Sequence, residues 1–148
     1  PCGLACNRYA VRPVMAPANE TRGEISLHLD GADFVLRPSF EALVAIEQDS
    51  GKGLIDLARE AEGGTLSLQT VAIIAMRCIQ AWGTATKNEM AQGVNADKIA
   101  RLIMSSDGGL MSAMLRIRVL LTLAVTGGYT PSGERKAAGS PGTIPAAS

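Results

Sequence analysis

The sequence predicts an α+β fold, with an N-terminal β-hairpin packed on a small bundle of four to five α-helices. Two observations carry this. Between Glu24 and Leu36 apolar and polar residues alternate across an Asp-Gly turn, the period of a half-buried strand pair. After Pro38 the apolar spacing becomes three and four residues, punctuated by glycine stops, and no strand pattern returns. Strands that do not alternate with helices exclude a parallel α/β sheet.

Ile25, Leu27 and Leu29 alternate with Glu24, Ser26 and His28, and Asp30-Gly31 supplies the turn before Phe34 and Leu36. The alternation places His28 on the solvent side. An isolated hairpin is marginal in water, so this one requires something to pack on. Ser39 caps the first helix and Glu41 suits its positive end. Phe40, Leu43 and Val44 form its apolar face, with Ile46 at the edge, and Ser50-Gly51 ends it. A short second helix is expected from Gly53 to Glu62, with Leu54, Ile55, Leu57 and Ala58 facing inward and Gly63-Gly64 as the stop.

Ser67 caps the third helix, in which Leu68, Val71, Ala72, Ala75, Cys78, Ile79 and Trp82 recur at helical spacing and Gly83 is the expected terminator. Ile73 and Met76 lie off that stripe, so this helix is either central or shared with a partner. Thr84 to Val94 reads as a loop, or a loop with one helical turn. Asn95 caps the next helix, whose stripe is Ile99, Leu102 and Ile103. After Asp107-Gly108-Gly109 a last helix runs from Leu110 to Thr126, and its apolar residues cover most of the circumference. Such a helix is buried deeply or buried at an interface.

The chain of 148 residues divides into a flexible extension at 1–20, one folded domain at 21–128, and a C-terminal tail at 129–148. Pro13 and Pro17 break any helix in the extension, and Met15 reads as a natural start, which makes the first fourteen residues an upstream start assignment or a dispensable addition. The tail, YTPSGERKAAGSPGTIPAAS, has too few apolar side chains to offset its ordering entropy and is expected to be disordered.

Hydrophobic residues make up 47% and aromatic ones 3%, so the core is built from aliphatic side chains and methionine. Fourteen basic residues balance fourteen acidic ones, which leaves no electrostatic reason to bind nucleic acid or anionic lipid. The apolar run from Leu110 to Val125 is shorter than the roughly 20 residues a bilayer requires, and Arg116 and Arg118 interrupt it. No signal-peptide pattern opens the chain, so a cytoplasmic location is expected.

Chemistry finds little to work with. Cys2 and Cys6 lack a second pair of thiols or imidazoles to complete a zinc site, and Cys78 belongs to a buried stripe. His28 is the sole histidine, which removes Ser–His–Asp and Cys–His centres. Asp30 with Asp33 flanks a turn and Glu60 with Glu62 a helix end, both ordinary places for solvated acids. Gly51-Lys52-Gly53 lacks the upstream glycine and buried strand of a P-loop. No catalytic residue, cofactor or metal is expected.

Three segments carry a resemblance: GEISLHLDG, LRPSFEALVAIEQDSGKGLIDLA and IIAMRCIQAWG. They resemble the small tail-assembly protein of gene transfer agents, a family placed among the phage tail assembly chaperones and in some descriptions labelled a tail tube protein. The resemblance covers Arg22 to Gly128 and makes 21–128 a tail-assembly-chaperone-like domain. It implies a non-enzymatic role: keeping the long tape-measure protein soluble while tube subunits polymerise around it. A tail tube partner and self-association both stay open. A tube subunit is the alternative, although tube rings are built mainly from β-structure and this chain offers one hairpin. A more remote alternative is a DNA-associated regulator using Arg101, Arg116 and Arg118, against which charge neutrality weighs. A chaperone needs an adaptable apolar groove, and thioether side chains repack easily. Met76, Met104, Met111 and Met114 are therefore the candidate contact residues, set against the plainer reading that they fill the core.

Overall fold

The computed structural model describes residues 25–136; the expected N-terminal extension, its two cysteines and the last part of the tail lie outside them. Two strands, β1 (Ile25–Leu29) and β2 (Ala32–Leu36), precede six helices: α1 (Phe40–Ser50), α2 (Leu54–Gly63), α3 (Leu68–Thr86), α4 (Glu89–Gln92), α5 (Ala96–Ser105) and α6 (Gly109–Val125). The class is α+β and mostly helical.

The strands pair antiparallel, with Leu27 opposite Phe34 and His28 opposite Asp33. Asp30 and Gly31 both take positive φ, as a two-residue hairpin turn matched to strand twist requires. Leu27, Leu29, Phe34 and Leu36 fall on one face and are buried, while His28 and Asp33 stay in water on the other, where their side chains pair. The hairpin is held by the helices: β2 packs on α3, and β1 on α5 and α6.

α3 is the hub. It touches α1, α4, α5, α6 and β2, and Val71, Ala72, Ile74, Ala75, Cys78 and Ile79 are fully buried along it. Of the two alternatives for this helix, the central position is the one observed. Ser67 caps it, its Oγ accepting from the Thr70 N–H at 3.1 Å. Ser39 and Asn95 do the same for α1 and α5.

Four expectations need correction. Phe40 and Ile55 do not face inward; they are 59% and 60% exposed, and the inner positions of α1 belong to Ala42 and to Ile46, which is fully buried and not at the edge. Gly83 does not end α3, which continues to Thr86 and closes at Lys87 in the left-handed conformation. The reason is that α4 crosses there: a Cβ on residue 83 would lie 2.7 Å from the Ala91 Cβ and 2.8 Å from the Gln92 nitrogen. Gly83 is thus a contact point between helices, and its carbonyl accepts from the Asn88 N–H and from Gln92 Nε2. The polar stretch after it contains α4, a helix of four residues.

The fourth correction concerns the tail. Residues 129–136 fold back as a strap. Tyr129 is buried and bridges to Arg135, the Phe40 N–H donates to the Pro131 carbonyl at 2.8 Å, and Arg37 Nε donates to the Ser132 carbonyl at 2.8 Å. Gly133 has φ +90° and lies against Ser39 N and the Arg37 side chain, with no room for a Cβ. One aromatic ring and a few backbone hydrogen bonds supply the ordering energy that composition alone did not promise.

Replacing Gly by Ala inside a helix ordinarily gains about 1 kcal/mol. At Gly83 the overlap with α4 should outweigh that gain, and Gly83→Ala is expected to lose about 1–2 kcal/mol in urea unfolding, in line with overpacked cores; an unchanged or higher midpoint would contradict the contact. A chain ending at Gly128 is expected to lose protection of the Phe40 amide in hydrogen exchange, while the α3 amides stay protected.

Candidate partner-binding surface

α6 follows α5 through Ser106, Asp107 and Gly108, and Gly108 takes φ +83° at the helix start. Its inner face carries Ala113, Met114, Ile117, Leu120 and Leu121, all buried against α2, α3, α5 and β1. Its outer face is also apolar. Met111, Leu115 and Val119, each one helical turn further on, are 64%, 54% and 51% exposed. α6 is therefore neither enclosed nor a one-sided surface helix. Each solvent-facing row of an amphipathic helix normally holds polar groups, and an aliphatic row in that position marks a contact surface.

The four candidate methionines separate. Met111 lies on the exposed row of α6, and Met104, at the end of α5, is the most exposed large apolar residue described, at 72%. Met76 is half-buried against the core, and Met114 is buried, so these two fill space as the plainer reading had it. Leu115 and Val119 share this row, and the helical phase of Met111, rather than thioether chemistry, is the sequence signal that points to them.

Two shallow depressions lie elsewhere on the described surface, and neither is lined by Met111, Leu115 or Val119. One, of about 400 Å³, lies where α2 meets the end of α6 and is lined by Glu47, Gly53, Leu54, Ile55, Asp56 and Val125. The other, of about 450 Å³, runs between α1 and α3 over Ala42, Ala45, Ala81 and Ala85, with Arg37 and Arg77 at its sides. Both arginines are engaged: Arg77 Nε donates to Asp49 Oδ2 at 2.6 Å, and Arg37 Nη2 is 3.7 Å from Glu134 Oε2. Lys52 pairs with Glu60 at 2.7 Å and Arg101 with Asp97 at 2.9 Å. Among the described residues no group of three or more His, Cys, Asp or Glu could hold a metal ion, and no helix is long and apolar enough to cross a membrane.

A family model described as "Phage tail tube protein, GTA-gp10" matches residues 22–127. The chain belongs to this family. The match takes in the hairpin and the six helices among the described residues, so the α6 surface is part of a tail protein of the phage and gene transfer agent type. Neither the curated proteins nor the solved structures contain a match to the chain.

Beneath the surface, two groups of this tail protein are held protonated. Burial pushes the Cys78 thiol from 9.0 up to about 12. Burial pushes the Tyr129 hydroxyl from 10.0 up to about 12, with the neighbouring Cys78 adding to the shift and Arg135 opposing it. Both folded values lie above the unfolded ones, so the unfolded chain releases these protons first. Their contribution to stability is complete below about pH 9 and should fall steadily towards pH 12, as read from denaturant midpoints. The Tyr129 hydroxyl has no hydrogen-bond partner among the described residues. Tyr129→Phe is therefore expected to keep or raise stability at pH 7, by up to about 1 kcal/mol, and to shallow the alkaline decline.

Proposed function

We propose that this tail protein is a non-enzymatic assembly factor that acts as a chaperone for the tape-measure protein in the bacterial cytoplasm, with the outer face of α6 as its contact surface. The observation that carries the reading is the exposed Met111–Leu115–Val119 row on a helix whose other side is core. A long apolar helical polymer aggregates by itself, and a small folded domain that lends it a complementary row of side chains lowers that exposed area. Met104 extends the apolar surface at the end of α5.

A structural subunit of the tail tube is the second reading, and the family description favours it. Against it stands the sheet content: among the described residues the only sheet has two short strands. Tube rings are built mainly from β-structure, and a single hairpin supplies little of it.

Mass spectrometry of purified particles separates the two. A chaperone is expected to be absent from them, and recovery in a fixed ratio to the tube would establish the subunit instead. For the chaperone, co-expression with the tape-measure product is expected to keep that product soluble. Leu115→Glu with Val119→Glu should cut its recovery at least tenfold while leaving the free protein's stability within about 1 kcal/mol, since both positions are half-exposed. Undiminished recovery would remove α6 from the interaction.

A further inference from the structure

The exposed row of α6 has charged borders. At 3.6 residues per turn, Arg118 falls on the Met111 side of the row and Arg116 on the Val119 side. Both are exposed, and neither has an ion-pair partner among the described residues, whereas Arg37, Arg77 and Arg101 all do. The sequence of α6, GLMSAMLRIRVLLTLAV, contains no Asp or Glu. An apolar seam bordered by charges of one sign is the arrangement by which one helix of a pair selects the other.

Resting on the chaperone reading, we infer that the outer face of α6 receives an amphipathic helix whose apolar seam is flanked by acidic residues, and that Arg116 and Arg118 select it. The one-turn spacing of Met111, Leu115 and Val119 offers a ridge that a second helix can straddle, and α6 is long enough for several turns of contact. The α6 of a second copy is a poorer occupant. It brings the same two arginines and no acid, so the borders of such a pair would stay unsatisfied. Opposite charge at the border sets partner choice and encounter rate more than it adds affinity, which is the role these arginines take.

Two synthetic helical peptides test this, identical in their leucine seam but flanked by Glu in one and by Lys in the other. Binding to the full chain is followed by fluorescence anisotropy at low ionic strength, with circular dichroism to verify that each variant is folded. The Glu-flanked peptide is expected to bind roughly tenfold tighter, with a gap that narrows as salt screens the borders. Arg116→Glu with Arg118→Glu should invert the preference, and Leu115→Glu should weaken both peptides. Equal binding of the two peptides, an unchanged preference in the double variant, or no binding of either would overturn the inference. So would a dimer in sedimentation that Leu115→Glu dissolves, because the face would then belong to a second copy. If the tape-measure product is still recovered through Leu115 and Val119 while the peptides bind alike, charge selection fails and the chaperone reading stands. If the peptides discriminate but the product is never retained, the chaperone reading fails alone.

Discussion

Leu68–Thr86 must be buried around most of its circumference, and the rest of the domain is arranged to do it. Six of its residues between Val71 and Ile79 are completely shielded, and they are shielded by different neighbours: α1, α5, α6, the crossing α4 and strand β2. Apolar surface of that extent, removed from water at about 25 cal/mol per Å², is the main favourable term available to a domain with few aromatic side chains. The hairpin is stable because it closes one side of this helix, and Gly83 exists because α4 approaches the same helix too closely for a side chain.

With α3 enclosed, α6 is left with a different arrangement. Its inner row completes the core, and its outer row has nothing among the described residues to cover it. Aliphatic side chains on an otherwise charged surface cost solubility, and neighbouring Arg116 and Arg118 reduce that cost for the free protein while adding direction to any encounter. A tail protein with this surface is suited to meeting a helix, and poorly suited to extending a sheet, because its hairpin is short and its strands are tied to helices. The tail role rests on family membership, and the geometry adds only the exposed apolar row through which such a role could be exercised.

The closing strap adds a second kind of economy. Tyr129 lies beside Cys78 near the middle of α3, and the backbone of Pro131 and Ser132 satisfies groups at the junction of β2 and α1. Arg37 and Ser132 both line the α1–α3 depression, so the strap forms part of its wall. A segment rich in Pro, Gly and Ser is ordered there because a few specific contacts, not a hydrophobic run, hold it.

Local chemistry was legible in the sequence. The alternation at Ile25–Leu29, the positive-φ turn at Asp30-Gly31, the caps Ser39, Ser67 and Asn95, and the buried stripe of α3 all follow from period and side-chain hydrogen bonding within a few residues. What the tertiary structure decided is which face of an ambiguous helix points out. Phe40 and Ile55 have the character of core residues yet lie in water, and Met111 and Met114 differ in fate although three positions apart on one helix. Residue type does not contain that information, since burial depends on what arrives from distant parts of the chain. The same holds for Gly83 and for the strap, whose roles come from Ala91 and from Arg37, partners that periodicity cannot pair.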